Sequence, residues 1–94
     1  MNIFGIGTEV LVTGDGGNYT TYSSFFKENG LEEFEGKFVY GRNIPINEAY
    51  TILGKGAHRN GYEILVLGNS VGDIYLMDNN EEVEEIKKEQ NNGK

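Results

Sequence analysis

The chain has 94 residues, of which 37% are apolar, and it carries a formal net charge of −7 at pH 7. This length fits one domain, and five Phe and six Tyr residues provide material for a single compact core. No cysteine is present, which excludes disulfides, thiolate zinc sites and cysteine nucleophiles. The negative charge argues against direct binding to nucleic acid, because proteins that neutralise phosphates are normally basic.

The amino terminus and the apolar runs do not indicate a membrane or secretory destination. Residues Met1 to Gly5 lack the basic and apolar regions of a secretory signal. No apolar run approaches the roughly 20 residues that span a bilayer. We therefore expect a protein without a membrane partner, located in the cytoplasm.

The first predicted strand covers Thr8 to Thr13, and it ends where a run of glycines permits a turn. The period of the pattern then changes. Tyr22, Phe25 and Phe26 fall at i, i+3 and i+4 and would share one face of a short helix. Gly30 is expected to end that helix. So short a helix is not stable alone in water, so its aromatic face is expected to dock on the sheet.

The next segment is expected to be an acidic connector over 31–36, with Leu31 and Phe34 turned inward and the glutamates in water. A second short strand is predicted for Lys37 to Tyr40. Residues 41–47 are predicted to be a loop, since Pro45 has no N–H to donate within a central strand.

Four short strands joined by glycine-marked turns are predicted between Ala49 and Ile86. The turns are expected at 54–61, 69–72 and 78–80. The last strand has a competitor, a helix over 81–90 favoured by its Glu and Lys residues. Residues 87–94 are expected to be a flexible polar tail. The apolar clusters of the four strands are 50–53, 64–67, 74–77 and 83–86.

This arrangement resembles an SH3-like small β-barrel, with its first strand near Thr8, a long excursion, and a run of short strands ending at Ile86. The resemblance implies a mainly β fold over 1–86, a small antiparallel barrel with one short helix inserted after the first strand. The aromatic signature of proline-binding SH3 domains is not evident, so the resemblance transfers no binding residue. The chain is also similar to small acidic bacteriophage proteins, many of which bind and block host proteins such as defence nucleases.

Eight of the 15 acidic residues fall in two segments, 28–35 and 81–85, and clustered carboxylates can stand in for phosphates when they meet a basic groove. We therefore predict an acidic contact surface for a protein partner with a basic surface. The alternative is a solubilising edge that discourages sheet-to-sheet aggregation. The residues of the predicted acidic surface are Glu28, Glu32, Glu33, Glu35, Glu81, Glu82, Glu84 and Glu85.

The tyrosines exceed the number that so small a core requires. Tyrosine offers rigid contact area with a polar tip, which suits interfaces. Tyr19, Tyr22 and Tyr40 are predicted to be aromatic contacts for the partner. The alternative is packing at the rim of the core with the hydroxyls in water.

Lys55, His58 and Arg59 gather three cationic side-chain types on one predicted glycine-flexible hairpin. Together with backbone amides they could hold a phosphate or carboxylate. This feature favours a second function, a module that sequesters a small ligand or nucleotide. The alternative is an ordinary solvated hairpin.

No catalytic or metal-binding motif is recognisable. The hydroxyl-rich segment 19–24 has no base nearby in sequence, and the glycines of 14–17 lack the spacing of a phosphate-binding loop. We therefore predict a non-enzymatic binding protein without cofactor or metal, of the kind that blocks a basic nucleic-acid-handling host protein. A phage structural or assembly subunit, or a homo-oligomer that buries exposed aromatics, is a third alternative.

Overall fold

The computed structural model of the chain describes residues 4–14, 24–39, 43–57, 61, 63–78 and 82–86. Within this part, five strands form one antiparallel sheet accompanied by two four-residue helices, which confirms the prediction of a mainly β fold. The strand order across the sheet is β4-β3-β2-β1-β5. The elements are β1 (Glu9–Val12), α1 (Phe25–Glu28), α2 (Glu32–Glu35), β2 (Glu48–Ala57), β3 (Glu63–Gly68), β4 (Ile74–Asp78) and β5 (Val83–Glu85).

Both faces of the central strands are buried. Successive side chains of a strand point to opposite faces, so Leu65 and Leu67 belong to one cluster while Ile64 and Val66 belong to another. The uninterrupted apolar runs of β3 and β4 are typical of strands buried on both sides. The first cluster, which we call the core side, contains Phe4, Val10, Val12, Ile44, Tyr50, Ile52, Leu65, Leu67, Tyr75, Met77 and Val83. The second, the helix side, contains Phe25, Phe26, Leu31, Ile64, Val66, Ile74 and Leu76.

The helix α1 docks through its aromatic residues, as predicted. Phe25 and Phe26 are fully buried, and the Phe26 ring also meets the Phe38 ring edge-on at 5.3 Å between centroids. Gly30 ends the helix with φ +69°, which confirms its predicted role. The Leu31 N–H donates to the Phe26 carbonyl at 2.7 Å, and the Gly30 N–H donates to the Lys27 carbonyl at 3.3 Å. These two bonds form a Schellman motif, which satisfies carbonyls at the helix end and starts the chain toward α2.

Gly54 and Gly56 lie within β2, so the prediction of a turn beginning at Gly54 was wrong. The strand runs on to Ala57, with a bulge between Ile52 and Gly54. At these two glycines, residues of the helical segments pack closely against the strand. A Cβ at Gly56 would lie 2.8 Å from Phe25 Cζ, and a Cβ at Gly54 would lie 3.1 Å from Leu31 Cδ2. A glycine inside a strand here marks close approach of another element.

The predicted connector and second strand also differ from the structure. Residues of the acidic connector form α2, with Leu31 buried and Phe34 half-buried as expected. The segment after it reaches the sheet only as an isolated parallel bridge between Phe38 and Ile74. Two hydrogen bonds hold this segment, from Val39 N–H to the Ile74 carbonyl and from Ile74 N–H to the Lys37 carbonyl. Both involve Ile74, so among the described residues the segment pairs with a single residue of β4.

The last described segment is a strand, β5, and not the competing helix. It pairs with β1, so β4 and β5 form the two edges of the described sheet. No pairing among the described residues closes the sheet into a barrel. Residues 87–94 lie outside the described part. None of the described helices has the length and apolar character needed to cross a membrane.

Candidate functional site

The helix α2 presents carboxylates to solvent because its apolar residues are used for docking. Leu31 is buried and Phe34 is half-buried, and both side chains come close to Gly54. Glu32 and Glu33 are therefore left exposed on the outer surface of the helix. Glu35 is half-buried at the end of the same helix.

The carboxylate of Glu28 closes the first turn of α1. Its Oε2 accepts a hydrogen bond from the Ser24 hydroxyl at 2.8 Å, while the residue stays exposed. This residue is thus on the helix side of the molecule, but its carboxylate already has a local structural role.

The strand β5 divides its glutamates between the two sides of the sheet. Val83 is opposite Val12 in the register, and both are buried on the core side. Glu84 is opposite Leu11, so alternation places it on the helix side, and it is exposed. Glu85 follows on the other side and is also exposed. Glu82 is half-buried with its carboxylate against Gly14, and Glu81 lies outside the described residues.

The structure therefore places part of the predicted acidic surface on one side of the sheet. Glu32, Glu33 and Glu84, which are far apart in sequence, are exposed on the same side of the sheet. Glu82 and Glu85 do not share that arrangement. The alternation of a strand decides this division, and the sequence does not show the register on which it depends.

Tyr50 and Tyr75 belong to the core, where their rings meet edge-on at 6.0 Å between centroids. The Tyr50 hydroxyl donates to the Pro45 carbonyl at 2.9 Å. Burial, with a smaller contribution from the nearby Glu48 carboxylate, raises the pKa of Tyr50 from 10.0 to about 12. The tyrosines predicted as partner contacts, Tyr19, Tyr22 and Tyr40, lie outside the described residues.

Lys55 lies within β2 and not in a flexible hairpin. Its Nζ is 3.7 Å from Oε2 of Glu63 on the neighbouring strand, and its side chain is 26% exposed. Cross-strand pairs of this kind contribute little to stability, but the carboxylate offsets the charge that an anion would need. His58 and Arg59 lie outside the described residues, so the predicted three-cation site stays a prediction.

Sequence reasoning missed a solvent-open groove of about 420 Å³ at the end of the sheet where β1 begins. Thr8 and Glu9 were assigned only to a strand. Their place beside Glu85 depends on the pairing of two segments that are distant in sequence, so no local signal reveals it. The residues that line the groove are Gly7, Thr8, Glu9, Thr51, Glu85 and Ile86.

The described residues contain no group of three or more His, Asp or Glu side chains placed to hold a metal ion. Comparison of the chain with models of known families, with characterised protein sequences and with solved structures gives no match. A function for the chain must therefore be inferred from the surface of the molecule itself.

Proposed function

We propose that the protein is a non-enzymatic binding protein whose acidic surface contacts a basic surface of another protein. The observation that carries the proposal is the exposure of Glu32, Glu33 and Glu84 on one side of the sheet. Exposed carboxylates on one side of a sheet, in a chain of net charge −7, attract a basic partner from a distance and orient it on approach.

Proteins that handle nucleic acid are a natural class of partner. Their binding grooves are basic because they neutralise phosphates. An acidic face that occupies such a groove competes with the nucleic acid and inhibits the protein. This is the mode of action implied by the resemblance to small bacteriophage inhibitors, and we propose it for this chain.

We also propose that the sheet is of the SH3-like type. Two features support this. The first strand lies between the second and the last, which brings both ends of the strand series together. The ten-residue β2 carries a bulge, and bulges supply the bend by which a sheet begins to curl on itself.

The test begins with capture of a partner from bacterial lysate by the full chain and its identification by mass spectrometry. Its affinity is then measured while salt is raised from about 50 to about 200 mM, over which a charge-driven complex weakens strongly. At least one of Glu33→Lys and Glu84→Lys should weaken binding, whereas Glu48→Lys makes the same charge change at an exposed site on the core side of the sheet. If neither helix-side variant weakens binding more than Glu48→Lys does, or if affinity does not respond to salt, the proposal is contradicted.

A further inference from the structure

The helices cover only part of the helix side of the sheet. They contact β2 at Gly54 and Gly56, next to β3 and β4. The other part, formed by β5, β1 and the first half of β2, has no described element packed on it. We call it the open half-face, and by strand alternation it consists of Glu9, Leu11, Ala49, Thr51 and Glu84.

The open half-face is accessible to a partner. Ala49 and Glu84 are exposed, and Glu9, Leu11 and Thr51 are half-buried. Leu53, at its border with the helices, is 38% exposed. The surface thus combines aliphatic contact area with carboxylates, and its five residues include no lysine or arginine.

The groove of about 420 Å³ opens at one end of this surface. Its backbone is fixed, because the Ile86 N–H donates to the Glu9 carbonyl at 2.9 Å and the Gly7 N–H donates to the Ile52 carbonyl at 2.7 Å. Glu9 and Glu85 both line it, together with Thr51 and Ile86. Carboxylates beside an aliphatic wall suit a side chain that has an apolar stem and a cationic head.

We propose that the open half-face and its groove are the docking surface for a basic segment of the partner, with an arginine or lysine side chain entering the groove. This inference rests on the proposed function and assigns it to one surface. The partner's aliphatic stems lie on Leu11 and Ile86, and one of its cationic heads pairs with the exposed carboxylate of Glu84.

Charge selects this occupant over two others. A second copy of the chain docked face to face would set Glu9 and Glu84 against carboxylates of the same kind, which is unfavourable. A nucleic acid would bring phosphates to the same carboxylates. A cationic peptide is the complementary occupant for a surface whose described residues are acidic and not basic.

The test is a titration of the ¹⁵N-labelled full chain with a short fluorescein-labelled oligo-arginine peptide, with affinity measured by anisotropy on the same samples. We expect amide shifts at Glu9, Thr51 and Glu84. Glu84→Lys should weaken binding by about threefold or more and Glu84→Gln by less, while Glu48→Lys changes it by less than about twofold. The amide spectrum of each variant shows that it is folded.

The outcomes separate this inference from the proposed function. If Glu33→Lys weakens peptide binding and Glu84→Lys does not, the open half-face is the wrong surface, although the acidic-surface proposal stands. If the peptide does not bind at all and no salt-sensitive partner is captured, both fail. Shifts at the open half-face that appear on concentrating the chain alone would identify a second copy as the occupant and overturn the inference.

Discussion

Replacing Gly56 by alanine is expected to weaken the packing of α1 on the sheet. The new Cβ would lie 2.8 Å from Phe25 Cζ, closer than real Cβ atoms approach, and 3.0 Å from Asn29 Cγ, which is also tight. Movement of either neighbour would cost buried packing or hydrogen bonds. Phe25 is fully buried, and Asn29 is fixed by two hydrogen bonds, from its Nδ2 to the Phe25 carbonyl and from the Ala57 N–H to its Oδ1, both 2.9 Å.

The magnitude follows from three contributions. Overpacking of a filled core costs about 1–3 kcal/mol. Loss of the hydrogen bond between Asn29 and Ala57 costs about 1 kcal/mol. Alanine restricts the unfolded chain and thereby returns about 0.4–1 kcal/mol. The expected net loss in the free energy of unfolding is therefore about 2 kcal/mol, which lowers Tm by roughly 10 °C in a domain of this size.

The assay is urea and thermal unfolding followed by circular dichroism, with Gly36→Ala as the matched control. Gly36 has φ −67° and ψ −17°, which alanine adopts freely, and a Cβ there would meet no atom of the described residues within 4 Å. Its replacement should change the free energy of unfolding by less than about 0.5 kcal/mol. Gly54→Ala, which meets the flexible end of Leu31 at 3.1 Å, should fall between the two. Equal stabilities of the Gly56 and Gly36 variants would refute the close packing of α1 on Gly56.

Three further predictions concern stability. Gly30→Ala should cost about 1–2 kcal/mol by urea unfolding, since φ is +69° there; an unchanged midpoint would contradict the Schellman ending. Asn69→Ala should lower Tm by an amount equivalent to about 1–2 kcal/mol, because its Oδ1 accepts from the Val71 and Asp73 N–H groups; no loss would exclude this turn. Burial raises the pKa of Tyr50 from 10.0 to about 12, so the contribution of its neutral hydroxyl to the free energy of unfolding is complete below pH 10, and about 2 kcal/mol of it is lost as pH rises to 12. Tyr50→Phe should lack this loss in pH-dependent unfolding, and parallel curves for the two proteins would contradict it.

The strands were the predictable part of this fold. The apolar runs at 64–67 and 74–77 are bounded by turn residues, and both became strands. The turn between them also follows from sequence, because Asn69 accepts from backbone N–H groups and Gly72 supplies φ +92°. The helix α1 was found from the spacing of Phe25 and Phe26. Each of these signals is local, so each can be recognised without knowledge of the rest of the chain.

The predictions were wrong where the structural role of a residue depends on its contact with a residue far away in the sequence. Gly54 and Gly56 were assigned to a turn because glycine permits one, whereas they serve as contact points for residues more than twenty positions earlier in the chain. Among the described residues, the β-forming segment 37–39 pairs only with Ile74. Similarly, the sequence alone identifies the acidic residues of the candidate site. Their division between two sides of the sheet, Glu84 on one and Glu85 on the other, requires the register.

The bulge in β2 links the core to the candidate surface. Under strict alternation, Tyr50, Ile52, Gly54 and Gly56 would all face the core side, and the helices would find no glycine to approach. The extra residue, Leu53, reverses the alternation of side chains in the second half of the strand. Gly54 and Gly56 therefore face the helices, while Tyr50 and Ile52 remain in the core-side cluster.

The same bulge sets the border of the open half-face. Before it, the helix-side residues of β2 are Ala49 and Thr51, which both carry a Cβ. After it, the helix-side residues are Gly54 and Gly56, where an added Cβ would crowd Leu31 and Phe25. Among the described residues, the helices therefore lie over one part of the sheet and not over the part beside β1 and β5, where Glu84 is exposed. A single irregularity in one strand thus both completes the packing of the core and exposes the surface that we propose for binding.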